Sequence, residues 1–193
     1  MMLAAVLACA LLLPVLTLLL SPAAAAEDLW ALVRTGGQVL LLRHTVTTPG
    51  VGDPPGFRLD ECATQRNLTD AGREDARRLG AAFRARGVPV GSVRSSPWCR
   101  CLETARLAFG RAEPWAALSN LYGKPGLEPE RAAALRAALG EPPSGGNLVL
   151  VTHGSTILAV TGMHPEPGEL FVATPGGQGR FRVAGRLPLS ALP

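Results

Sequence analysis

Two stretches of this chain, Val39–Leu42 and Leu148–Val151, are apolar without interruption, and each runs within two residues into a histidine. A strand that shows one face to water alternates apolar with polar side chains; a strand covered on both faces has no polar side to show. The pattern therefore predicts buried strands over Gln38–Leu42 and Asn147–Val151, in a sheet with helices packed on both sides. Amphipathic segments supply those helices. Thr69–Arg86 carries Ala76, Leu79, Ala82 and Phe83 on one stripe, with Thr69 as cap and Gly87 as stop. Further helices are expected over Glu27–Arg34, from a Ser96 cap and Pro97 to about Phe109, over Pro129–Leu139, and from a Ser155 cap to Thr161. Val88–Arg94, Gly168–Ala173 and Phe181–Leu187 read as further strands. Strand and helix alternate through 193 residues, a length for one domain with a real core. The expected fold class is α/β: a three-layer α/β/α sandwich around a mostly parallel central sheet.

The first 26 residues stand apart, because only Pro14, Thr17, Ser21 and Pro22 break their apolar character. Ala24-Ala25-Ala26 offers the small side chains that signal peptidase accepts, so residues 1–26 read as a secretory leader cut before Glu27. The run is long and no Lys or Arg precedes it, which keeps an uncleaved signal anchor as the alternative. In either case residues 27–193 form an exported domain, with no membrane contact beyond a retained leader. Export permits disulfides. Cys62, Cys99 and Cys101 allow one bridge, from Cys62 to either Cys99 or Cys101, since cysteines flanking a single residue are badly placed to join each other. No second Cys/His cluster accompanies Cys99 and Cys101, so neither a metal nor another cofactor is expected. Of the 19 cationic side chains 18 are Arg, and they form no run that would suggest nucleic acid as a partner.

In open parallel sheets ligands bind beyond the carboxyl ends of the strands. His44 and His153 both arrive at that edge, and Ser95-Ser96-Pro97-Trp98-Cys99-Arg100 follows another strand and sets Arg100 in the first turn of a helix. Arg43 and Arg100 would then stand near two imidazoles, with the backbone N–H groups after Ser96 and Gly154 close by. Guanidinium matches phosphate oxygens in a two-pronged fork. With no carboxylate expected beside it, so positive a cluster calls for a dianion, and phosphate is the economical one. Trp98 is read as packing, His164 as an exposed loop residue, and Thr45–Asp60 as a long Pro/Gly-rich loop beside the site.

These motifs resemble those of the histidine phosphatase superfamily, with its phosphoglycerate-mutase-like fold. The resemblance runs through Arg43-His44, Asn67-Leu68-Thr69-x-x-Gly72, Ser95-Ser96-x-x-x-Arg100-x-x-x-Thr104-Ala105 and His153-Gly154. Gly52-Asp53-Pro54-Pro55-Gly56-Phe57, with Cys62 and Gln65-Arg66-Asn67-Leu68, is more similar to the exported bacterial branch of small histidine phosphatases. The resemblance implies a periplasmic, metal-independent phosphomonoester hydrolase acting on a small phosphorylated substrate, sugar phosphates among the candidates. His44 would attack phosphorus, and Arg43, Arg100 and a protonated His153 would hold the oxygens. Arg66, Asn67, Thr45 and Gly154 would contact substrate. The segment Leu118–Gly123 lacks the carboxylate that mutase-like relatives use as general acid, which leaves Glu169 as first candidate and Glu128 as second. The alternative is a non-catalytic phosphate- or sugar-phosphate-binding protein of the same fold.

Overall fold

The computed structural model describes residues 22–192. Its elements are α1 (Pro22–Arg34), β1 (Val39–Arg43), α2 (Asp70–Ala85), β2 (Val90–Ser95), α3 (Cys99–Phe109), a short β3 (Glu113–Pro114), α4 (Glu128–Gly140), β4 (Asn147–Thr152), α5 (Gly154–Thr161), β5 (Leu170–Pro175) and β6 (Phe181–Leu187). The expected leader lies outside the described residues as far as residue 21, and its boundary after Ala26 falls within α1. Among the described residues no helix is long and apolar enough to cross a membrane.

The strands form one six-stranded sheet in the order β3-β2-β4-β1-β5-β6. β3, β2, β4 and β1 pair in parallel, while β5 runs antiparallel to β1 and β6 antiparallel to β5. One strand alone therefore opposes the rest. Along β1, Leu40 and Leu42 join the core under α1, α2 and α3, whereas Val39 and Leu41 join the core under α4 and α5. Each residue of the run meets a helical layer on its own side, which is why none of them is polar. This is the expected three-layer sandwich.

Two helix starts differ from expectation. Thr69 caps α2 as read, accepting from the Gly72 N–H at 3.0 Å. But α3 begins at Cys99, and its first N–H donates to Gln65 Oε1 at 3.0 Å, so Ser96 and Pro97 stay in the approach to the helix. α5 begins at Gly154, with His153 at the cap position; the Ser155 hydroxyl instead donates to Asn120 Oδ1 and accepts from the Leu121 N–H. In both places a long-range partner outcompetes the local cap. The bridge joins Cys62 to Cys99 with Cα atoms 5.6 Å apart, which ties the loop after β1 to the first turn of α3. Cys101 is a free, buried thiol, pushed up to about 12 by that burial.

Candidate active site

Three parallel neighbours, β2, β4 and β1, end at one edge of the sheet, and their ladder continues past them. The Ser96 N–H donates to Val151 O at 2.8 Å and the His44 N–H to Thr152 O at 3.0 Å. Those two bonds hold the exits of the three strands side by side. His44 and His153 consequently face each other edge to face, ring centroids 5.4 Å apart. Both are nearly sealed from solvent, 4% and 2% exposed, and Arg100 is fully buried beside them.

His44 Nδ1 donates to the carbonyl of Thr45 at 2.9 Å. That bond sets the tautomer and leaves the Nε2 lone pair free. Burial pushes the imidazole down to about 3, the Thr45 bond opposes this, and the charges of Arg100, Arg43 and Arg66 reinforce it. His153 is pushed well below its ordinary value by burial first and then by His44, Arg100, Arg66 and Arg43, so the protonated form expected from sequence is not the one the structure favours. Arg100 Nη2 donates to His153 Nδ1 at 3.4 Å, and a neutral ring accepting there carries its proton on Nε2, which donates to Ser96 Oγ at 2.7 Å.

Three guanidiniums meet here rather than two. Arg66 acts on both imidazoles, alongside Arg43 and Arg100. Arg43 Nη1 donates to Pro165 O at 2.7 Å and Arg66 Nη1 to Gly50 O at 2.7 Å. The Nε–H groups of all three are buried and make no hydrogen bond among the described residues. Gly154 lies against Arg43, where an added Cβ would stand 3.5 Å from its Nε.

Contrary to expectation, the cluster does hold a carboxylate. Asp53, from the loop after β1, takes the Arg100 fork with Oδ1 and Oδ2 at 2.6 and 3.2 Å. Oδ1 also accepts from the Arg66 N–H at 3.1 Å and Oδ2 from Trp98 Nε1 at 3.0 Å. Burial alone would push this carboxyl up, but Arg100, the Arg66 amide and the Trp98 N–H together hold it below its ordinary value. Trp98 is thus a hydrogen-bond donor to the site as well as a packing group.

Other expected contacts are placed elsewhere. Thr45 is buried with its hydroxyl 3.3 Å from Thr104 Oγ1, so its part is to orient His44 through its carbonyl. Asn67 Nδ2 donates to Cys62 O at 2.6 Å and Gln65 O at 3.1 Å and braces the disulfide loop. Glu169 is buried but engaged: Arg186 donates to its two oxygens at 2.9 and 2.6 Å, and the Glu166 N–H adds a bond at 2.8 Å. Its carboxylate is therefore bonded to Arg186 and the Glu166 amide, and not to the guanidiniums around His44. Glu128 is exposed at the start of α4, and His164 is exposed in its loop as read. Sequence reasoning missed Asp53, Ser96 as the partner of His153, and Gln65 as the group that caps α3. Only Asp53 carried a signal, its Pro/Gly-rich motif, and nothing in that motif says where the carboxylate points. Among the described residues no cluster of His, Cys, Asp or Glu is arranged to hold a metal ion.

Residues 39–121 match the family model of the histidine phosphatase superfamily (branch 1), a span that holds His44, Arg66 and Arg100. No curated protein matches the chain. Among solved structures, a phosphoserine phosphatase mutant from Entamoeba histolytica in complex with phosphoserine superimposes with a TM-score of 0.59 at 14% identity, over 80% of this chain and 98% of its own. The ecdysone phosphate phosphatase from Bombix mori with tungstate gives 0.58 at 16%, over 81% and 93%. The protein histidine phosphatase SixA with tungstate gives 0.57 at 17%, over 79% and 97%. At such identities the likeness establishes the fold, which is the phosphoglycerate-mutase-like one expected.

Proposed function

We propose that this chain is a histidine phosphatase: an exported phosphomonoester hydrolase that works through a phosphohistidine on His44. The observation that carries the reading is the state of His44, a neutral imidazole with Nδ1–H bound to Thr45 and Nε2 open, beside three guanidiniums. In the first step Nε2 attacks phosphorus in line while the bond to the leaving oxygen breaks; in the second, water displaces His44 from phosphorus. Arg43, Arg66 and Arg100 hold the equatorial oxygens and stabilise charge in transit, the service a divalent metal gives elsewhere. The reading is therefore metal-independent, and activity should survive a chelator. A small phosphorylated molecule, sugar phosphates included, is the substrate class that suits so enclosed a site. The neighbours described as phosphatases, one of them binding phosphoserine, support the same chemistry.

Substituting His44 by Ala should abolish turnover of p-nitrophenyl phosphate, and wild-type activity in that variant would end the proposal. Engagement of Glu169 by Arg186 favours a second reading, a phosphate-binding protein without catalysis. Acid quench after mixing with labelled substrate separates the two, because a binder acquires no covalent phosphate. Export rests on the apolar segment of residues 1–26. Cell fractionation with N-terminal sequencing should find the protein in the periplasm starting at Glu27; recovery in the cytoplasm would overturn export, and an intact leader would make it an anchor.

A further inference from the structure

Asp53 has no part in the reaction as just described, yet no other carboxylate among the described residues bonds to this cluster. Its bonds are of two kinds. Arg100 supplies two charged donors, while the Arg66 N–H and Trp98 Nε1–H supply two neutral ones. An incoming dianion competes first for the charged donors of Arg100, and the two neutral N–H groups are enough to hold a displaced carboxyl in place. We propose that Asp53 is the general acid and base of the reaction: an incoming phosphoryl group takes over the Arg100 fork, and the neutral donors keep the displaced carboxyl beside the leaving oxygen. The inference rests on the phosphatase reading of the site.

The backbone allows the exchange. Gly50, Gly52 and Gly56 have φ of +133°, +74° and +77°, so the turn bearing Asp53 is flanked by residues that tolerate rearrangement. Beyond it, the Thr47–Leu68 bridge and the Cys62–Cys99 disulfide fix both ends of the loop. A shift confined to the tip therefore keeps Asp53 in the site.

The charge balance supplies the proton. With Arg100 as partner, Asp53 is an anion. Once a dianion holds Arg100, Asp53 loses its main stabilising charge and gains a negative neighbour in a buried setting, and both changes favour the protonated carboxyl. Arg66 and Arg43 remain nearby, and Lys124 lies over the Trp98 ring at 5.3 Å; the dianion also draws on these charges, which limits their pull on Asp53. Asp53 takes its proton from solvent as the substrate enters. It gives that proton to the leaving oxygen as the P–O bond breaks and the bond from His44 Nε2 forms. The carboxylate then accepts a proton from the attacking water as the N–P bond breaks and its electron pair returns to Nε2. Phosphate departs, Asp53 loses its proton to solvent and the Arg100 pair re-forms.

A general acid matters for a poor leaving group and hardly at all for a good one. The readout is the ratio of kcat/KM for p-nitrophenyl phosphate to that for glycerol 1-phosphate, in which any change in phosphate affinity cancels. Asp53→Asn should raise this ratio by about 10²-fold or more, with phosphoenzyme still formed on His44. An unchanged ratio, whatever happens to the separate rates, would reduce Asp53 to a structural ion pair and overturn the proposal. Should the variant not fold, the wild type decides: the ratio should stay within about tenfold, whereas a ratio that follows the roughly seven-unit gap in leaving-group acidity would show that no acid operates. Failure of the phosphatase reading looks different, since no substrate would then label His44.

Discussion

At the scale of single residues, burial does most of the chemistry. His44 and His153 are neutral in the fold, whereas in the unfolded chain each titrates near its ordinary value of about 6.5. Below that pH the unfolded chain binds protons that the folded one refuses, so stability is full above it and falls as pH drops from about 6.5 toward 3. Each histidine contributes a slope of up to about 1.4 kcal/mol per pH unit. Asp53 adds loss of the same sign at lower pH, because its carboxyl must gain a proton as the fold comes apart. Urea unfolding at pH 7.5, 6, 5 and 4.5 measures this, and His44→Asn should remove about half of the slope between pH 6 and 4.5. Equal stability at pH 7.5 and 5 would mean that the imidazoles titrate in the native protein as they do in the unfolded chain. Ser96→Ala withdraws the acceptor from His153 Nε2 and should cost about 1 kcal/mol of stability, with a loss of roughly tenfold in kcat if the ring must be held for phosphoryl transfer.

At the scale of elements, the loop between β1 and α2 does what the strands cannot, carrying a carboxylate to the guanidiniums. Its closure is covalent as well as packed. The Cys62–Cys99 bridge closes 37 residues of chain, a constraint on the unfolded state worth about 4 kcal/mol. Replacing both cysteines by Ser should lower the melting temperature accordingly and weaken activity more than stability, since Arg100 follows Cys99 directly. Near the other end of the loop, Gly72 in the first turn of α2 sits against the backbone of Val46, where a Cβ would overlap the carbonyl oxygen. That oxygen accepts the Thr69 N–H at 3.1 Å, two residues from His44. Gly72→Ala should cost about 1–3 kcal/mol in a thermal melt and move the loop away from the site. The strand-helix plan and the Thr69 cap were legible in the sequence because they follow from local periodicity. The starts of α3 and α5 were not, since Gln65 and Asn120 reach them from distant parts of the chain.

At the scale of the whole molecule, a segment can border the site through its backbone while its side chain serves the sheet: the Glu169 carbonyl accepts the Arg43 N–H at 3.2 Å, but its carboxylate turns to Arg186. Glu169 and Arg186 bind β5 to β6, with Arg186 open to solvent; Glu169→Gln should cost about 1 kcal/mol in a melt and leave the p-nitrophenyl to glycerol phosphate ratio untouched, the opposite of Asp53→Asn. α1 is anchored by Trp30 and Val33, both fully buried, so a protein beginning at Glu27 should melt within a few degrees of one retaining Pro22–Ala26. The sequence by itself determined the layered fold, the edge to which His44, His153 and Arg100 come, and the gathering of cationic side chains there. Apolar runs and strand ends are properties of consecutive residues. Only the tertiary structure decided which carboxylate serves that site, which cysteine pairs with Cys62, and that both imidazoles are neutral. Each of these depends on distance and solvent exclusion between groups far apart along the chain, and no spacing of residue types encodes either one.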